Sequence, residues 1–181
     1  LTKIMTVFVA LSEVAAGRVR MTDGVNISLR ARAMEGSRMF VEAGSVVPLQ
    51  ALLKGVIIQS GNDASVAVAE HVAGSELAFT KLMNRYASAL GMTRSSFSNP
   101  HGLTAEDHYT TATDLSRLAK ALIAQFPGEY VWHQEKSYRH NNITQPNRNK
   151  LLWQDASVDG IKTGHTSAAG YCLVASAVRD G

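Results

Sequence analysis

Apolar residues recur at helical spacing through most of this chain and become continuous and strand-like only near its end. Ile4, Val7, Phe8, Leu11 and Val14 put an apolar face on a helix spanning Leu1 to Ala15, with no visible N-cap. Leu49, Leu52, Leu53, Val56 and Ile57 mark a second helix, which Pro48 opens at a position where a missing N–H costs nothing. After Ser60-Gly61-Asn62 the pattern resumes from Asp63 to Val72 with small apolar residues, the composition of a buried helix. Ser75 caps the next helix, whose face is Phe79, Leu82, Met83, Tyr86 and Leu90 and whose stop is Gly91. Thr111 with Asp114 resembles a capping box with Asp in place of Glu. The helix behind it carries Leu115, Leu118, Leu122 and Ile123 as far as Pro127-Gly128.

Residues 16–47 read as turns and short strands, irregular around Ser28 to Ser37, and Ser95 to Tyr109 reads as a loop with an Asn99-Pro100 turn. Gln145 to Leu152 is a connector. Val158 to Thr163 and Tyr171 to Val178 form an antiparallel pair joined by His165 to Gly170, and Arg179-Asp180-Gly181 signals a hairpin to a further strand. Helices followed by adjacent strands predict an α+β fold, an antiparallel sheet flanked by helices. A helix already under way at Leu1 and a hairpin signal at the other end make 1–181 the expected central part of a single domain, with segments on both sides.

Composition narrows the picture modestly. A hydrophobic content of 45% against 18% charged residues belongs to a globular protein. The net charge of +3 is carried by scattered basic residues with no run, which argues against nucleic acid as a partner. The lone Cys172 forms no internal disulfide, and its apolar neighbours predict a buried small hydrophobe. No apolar stretch is long enough to span a bilayer.

The chemistry sits in three short words. Lys162-Thr163-Gly164 ends a predicted strand with a cation, a hydroxyl suited to a carboxylate, and a residue that lets another backbone lie close. Ser60-Gly61-Asn62 lies between two helices; Ser60 is placed to relay a proton and Asn62 to hold an amide. Thr2-Lys3 begins the first helix, where a Ser just before Leu1 would lie one turn from Lys3 on the same face. A neutral lysine there could take the hydroxyl proton, and burial near a second cation such as Lys162 would lower its pKa for that task. Each word alone is weak; their order and spacing form a demanding joint match.

With their flanks, Leu1-Thr2-Lys3-Ile4-Met5-Thr6, Gln59-Ser60-Gly61-Asn62-Asp63-Ala64 and Asp159-Gly160-Ile161-Lys162-Thr163-Gly164-His165-Thr166 resemble one family closely. It is that of the low-molecular-mass penicillin-binding proteins acting as serine-type D-alanyl-D-alanine carboxypeptidases, which share the β-lactamase-like fold. His101-Gly102-Leu103, Asn147-Arg148-Asn149, Leu151-Leu152-Trp153 and Ala169-Gly170-Tyr171 also fit, so the resemblance covers nearly the whole chain. It implies a serine acyl-enzyme cycle on peptidoglycan stem peptides ending in D-Ala-D-Ala, with β-lactams as inhibitors and no cofactor or metal. The nucleophile would be the Ser immediately before Leu1. Lys3 would be the general base, Ser60 the proton relay, and Asn62 the amide holder. Lys162 and Thr163 would meet the substrate carboxylate, with Gly164, His165, Thr166 and Arg148 as further substrate contacts. The backbone N–H of His165 would complete an oxyanion hole. The resemblance also implies an extracytoplasmic location and membrane anchoring through a C-terminal segment beyond this sequence.

Three other readings use the same residues. A D,D-endopeptidase is not separated by sequence. A serine β-lactamase is opposed by Gly61, where the class A pattern has Asp, and by the lack of a deacylating acidic motif. A peptidoglycan- or β-lactam-binding module that does not turn over would follow if the Ser is absent. The six histidines lack the His-Glu-x-x-His spacing of a zinc hydrolase, so no metal site is expected. Trp132 and Trp153 are expected to serve packing.

Overall fold

A small-residue helix, α4 (Asn62–Ala73), lies at the centre of the computed structural model, which describes residues 1–179. Ala64, Ser65, Val66, Ala67, Val68 and Ala69 are all buried, and their short side chains let neighbours approach on every side. Packed on α4 are α1 (Lys3–Ala15), α2 (Leu29–Arg32), α3 (Leu49–Ile58), α5 (Glu76–Ala89) and β1 (Gly24–Asn26). α1 also touches α3, α5 and α6 (Ala112–Gln125), so it is buried continuously from Lys3 to Leu11, as a helix apolar around most of its circumference must be. Its buried Glu13 is offset by a two-pronged ion pair with Arg18 and a 2.8 Å bond from the Tyr86 hydroxyl.

Local chemistry sets most boundaries. Ser75 Oγ accepts the Ala78 N–H and Thr111 Oγ1 accepts the Asp114 N–H, so both predicted caps are present. Only half of the capping box forms, because the Asp114 carboxylate turns to the Arg94 N–H and the Ser95 hydroxyl. Pro48 is not the first residue of α3. It ends β2 (Val46–Pro48), paired with Gly24 of β1, and stands in extended conformation as the N-cap of the helix. The irregular stretch after Ser28 contains α2, whose first turn is capped by Ser28 Oγ. Pro127 stops α6 and also starts α7 (Pro127–Tyr130), which runs into a 3-10 turn, Val131–Gln134.

A hairpin of β3 (Ser137–His140) and β4 (Ile143–Pro146) was not anticipated, and it takes over the start of the predicted connector. Asn141 and Asn142 turn it with φ of 46° and 61°, the two left-handed residues of a type I′ turn. After the short α8 (Leu151–Gln154), β5 (Val158–Thr166) pairs antiparallel with β6 (Gly170–Ala177). β5 runs through Thr166, so the link is shorter than expected and His165 pairs with Tyr171 inside the ladder. The Asp180-Gly181 hairpin signal lies outside the described residues.

The predicted apolar faces of α1 and α3 are core apart from half-buried Val14, as is most of that of α6, although Ile123 is exposed. Trp132 is buried, but Trp153 is 49% exposed, with the Lys136 ammonium over its ring. Cys172 is half-buried, because alternation along β6 leaves each inward residue only partly covered.

Candidate active site

The first turn of α1 is held from outside by the loop at 95–109. Lys3, 7% exposed, donates to Asn62 Oδ1 at 2.7 Å and to the His101 carbonyl at 2.5 Å. Thr6 Oγ1 donates to the Pro100 carbonyl at 2.6 Å, and Thr2 Oγ1 lies 2.6 Å from His108 Nε2. Gly102 closes against Thr2: a Cβ there would stand 2.9 Å from Thr2 Oγ1, and its φ of 87° suits glycine.

At the α3–α4 turn, Ser60 has a φ of 58°, a left-handed conformation uncommon for serine. Its side chain is half-buried, and no hydrogen bond from its hydroxyl forms among the described residues. Both ends of the Asn62 amide are engaged, Oδ1 by Lys3 and Nδ2 with the Glu35 carbonyl at 2.7 Å. Asp63 holds the turn in place. Its buried carboxylate accepts the N–H groups of Met39, Phe40 and Val41 and that of Ala64, at 2.8 to 3.2 Å. Phe40, at a φ of 67°, turns these successive N–H groups toward the carboxylate. Gly61 faces the same segment: a Cβ there would lie 2.8 Å from Asp63 Oδ1 and 3.1 Å from the Met39 nitrogen.

β5 supplies the third group. Lys162, 4% exposed, donates to the Thr163 carbonyl at 2.9 Å. Gly164 lies against the start of α1, where a Cβ would meet the Leu1 nitrogen at 3.0 Å. Alternation puts Lys162, Gly164 and Thr166 on one face of the strand, toward α1. Thr163 and His165 stand on the other face beside their partners Leu173 and Tyr171. The His165 and Tyr171 rings are 4.2 Å apart, and Tyr171 is 91% exposed. Thr166 Oγ1 accepts the Ala169 N–H within the turn to β6. Among the described residues β5 has a strand partner on one side only.

The strand is braced from behind. Asn149 Nδ2 donates to the Gly160 carbonyl at 3.0 Å, and Asn147 Nδ2 donates to the His133 and Glu135 carbonyls. Buried His133 bonds the Ile161 carbonyl through Nδ1 at 3.0 Å. Between the two buried asparagines, Arg148 is exposed, with no ion-pair partner among the described residues.

The electrostatics follow from this packing. Lys3 is lowered to about 7, first by burial, then by the charges of Lys162 and Arg148. Lys162 is lowered to about 7 by burial and then by Arg148. Burial and the Lys3 charge hold His101 down at about 4. The site therefore joins an amine able to accept a proton near neutral pH with positive potential for an anion. Lys3, Asn62, Lys162 and Gly164 lie together at the start of α1, with Ser60 on the same turn as Asn62 and the charge of Arg148 acting on both lysines. Thr163 and His165 can reach this centre only around the edge of β5. Sequence reasoning assigned no role to Asp63, His133, Asn147, Asn149 or the His101 carbonyl. Only Asp63, an acid in the first turn of a helix, carried a local signal.

A family model described as D-alanyl-D-alanine carboxypeptidase matches residues 1–181. The D-alanyl-D-alanine carboxypeptidase DacC of Escherichia coli is 48% identical over 186 residues, covering 99% of this chain and 46% of that protein. The chain thus spans a little under half the length of this relative. Penicillin-binding protein 5 of Haemophilus influenzae superposes with a TM-score of 0.95 at 42% identity, covering 99% of this chain and 53% of that structure. Penicillin-binding protein D2 of Listeria monocytogenes, solved with ampicillin bound, gives a TM-score of 0.87 at 25% identity over 99% of this chain and 73% of that one.

Proposed function

The chain belongs to the D-alanyl-D-alanine carboxypeptidase family, and from that membership we propose that its three motifs form the acyl-transfer centre of a serine-type carboxypeptidase. The observation that carries the reading is the buried Lys3 amine, bonded to Asn62 Oδ1 and the His101 carbonyl, where burial and the charge of Lys162 favour its neutral form. A Ser preceding Leu1 is the nucleophile, one helical turn from Lys3 and beside Gly164. It attacks the carbonyl of the penultimate D-Ala of a peptidoglycan stem peptide, and Lys3 takes its proton. Ser60 passes a proton to the departing D-Ala amine as the C–N bond breaks. Water then hydrolyses the acyl-enzyme ester and regenerates the Ser.

The remaining contacts follow the geometry. The open edge of β5 offers backbone groups to an extended substrate. Thr163 meets the terminal carboxylate around that edge, within the field of Lys162 and Arg148. The backbone N–H groups of the Ser and His165 hold the oxyanion. Asn62 serves the substrate amide through the remaining capacity of its side chain while orienting Lys3. β-Lactams acylate the same Ser. Gly61 disfavours a class A β-lactamase, since the packing of Met39 and Asp63 leaves no room for the side chain of that pattern. The substrate places the parent protein outside the cytoplasmic membrane, with anchoring through a C-terminal segment.

Intact-mass spectrometry of a protein carrying this chain behind its Ser, before and after a penicillin, is the test. A stoichiometric adduct mapped to that Ser supports the reading; no adduct on a chain that contains the Ser overturns it. Release of D-Ala from a pentapeptide, with none of the cleavage of a cross-linked dimer, separates carboxypeptidase from endopeptidase.

A further inference from the structure

His108 lies outside all three motifs, yet its ring is wedged between the loop that carries it and the first turn of α1. Nδ1 accepts the Ser98 N–H at 2.9 Å, and Nε2 faces Thr2 Oγ1 at 2.6 Å. A neutral imidazole has one acceptor nitrogen, so the proton is on Nε2 and His108 donates to Thr2. Phe97 packs edge-to-face on the ring, with centroids 6.0 Å apart. Thr2 has helical backbone angles, and its hydroxyl makes no bond to the backbone of α1. Its hydroxyl is bound to His108 instead.

We propose that His108 is a positioning residue for the acylation site: its Nε2–H fixes Thr2, and with it the turn that carries the nucleophile and Lys3, and protonation of its ring loosens that turn. The inference rests on the function proposed above. Its sign comes from the bonds. A second proton must go on Nδ1, which would then face the Ser98 N–H donor to donor. Ser98 belongs to the same loop that presents the His101 carbonyl to Lys3, so the displacement reaches the base. The titratable groups nearby are Lys3 on α1, bonded to the loop, and His101 on the loop, both cationic when protonated, and no carboxylate is bonded to the ring among the described residues. Burial holds His108 below the usual histidine value, so the loosened form is acidic.

The test is the penicillin acylation rate against pH for the full-length protein and two variants. His108→Ala should lose roughly three- to tenfold at pH 8. His108→Gln, which keeps a non-titrating N–H for Thr2, should recover most of that. The wild-type rate should fall with two protons toward acid pH, and that of His108→Gln with one. Equal rates and equal acid limbs in all three proteins would overturn the proposal; if the Ala variant fails to fold, the limb of the Gln variant decides. Nitrogen-15 NMR of the unmodified protein gives a readout independent of acylation. Protonated Nε2 with bare Nδ1 is expected, and the opposite tautomer overturns the clamp. A wild type with the expected tautomer but no acylation would overturn the proposed function and the positioning role with it, while leaving the contact itself in place.

Discussion

Lys3 reaches a pKa of about 7 because burial removes water from its ammonium before any neighbouring charge acts; Lys162 and then Arg148 add repulsion. The exposed Arg148 is screened by solvent, so its share is modest. Arg148→Ala should move the acid limb of acylation upward by about half a pH unit or less, with little change in the plateau. An unmoved limb would mean that Arg148 does not influence the two lysines. Lys3→Arg separates a base from a structural cation, since arginine keeps a positive charge and donors for Asn62 and His101 but does not become neutral. It should lower the acylation rate by about 10²- to 10⁴-fold. A variant with near wild-type acylation would remove Lys3 as the base.

The elements meet around Met39. The Asp63 carboxylate holds its N–H, Gly61 faces its backbone, and a Cβ on Gly55 of α3 would collide with its Sδ. Gly55→Ala should therefore destabilise the fold by about 1–3 kcal/mol, measured by urea unfolding. Asp63→Ala, which leaves buried N–H groups unpaired, should cost about 2–4 kcal/mol and slow acylation, because Asn62 is the next residue. Unchanged stability in the Asp63 variant would show that the 39–41 segment is not held to α4 in solution, and in the Gly55 variant that Met39 does not pack on α3. The helices were legible because their apolar residues repeat at helical spacing and Ser75, Thr111 and Gly91 mark their ends. The β3–β4 hairpin was not, since its strands are mostly polar and the turn signal, Asn141-Asn142, lacks the customary glycine. Lys3, Asn62 and Lys162 were legible through their words. The His101 carbonyl was not, because every residue has a carbonyl and only the course of the chain brings this one to an amine. Trp153 and Cys172 were misjudged since burial depends on what the other side of an element faces.

Across the whole molecule, four buried bases bind fewer protons folded than unfolded. His101 and His133 are lowered to about 4 from 6.5, so stability should fall as pH drops from about 6.5 toward 4. Lys3 and Lys162 are lowered to about 7 from 10.5, so stability should rise from pH 7 toward 10. Calorimetry should give a melting temperature that is higher at pH 9 than at 7 and lower at pH 5. Equal values at 7 and 9 would mean that the lysines keep their protons in the fold. The same dispersion of parts governs how the site comes into being. The bonds of Lys3 span 59 and 98 residues, and the strand that carries Lys162 and Gly164 follows α1 through α6 in the chain. A nascent chain that has made α1 through α6 therefore carries the first motif but not the second lysine that helps hold down its amine. On the function proposed above, such a chain gains its reactivity toward a β-lactam only once β5 has been made and has packed beside α1.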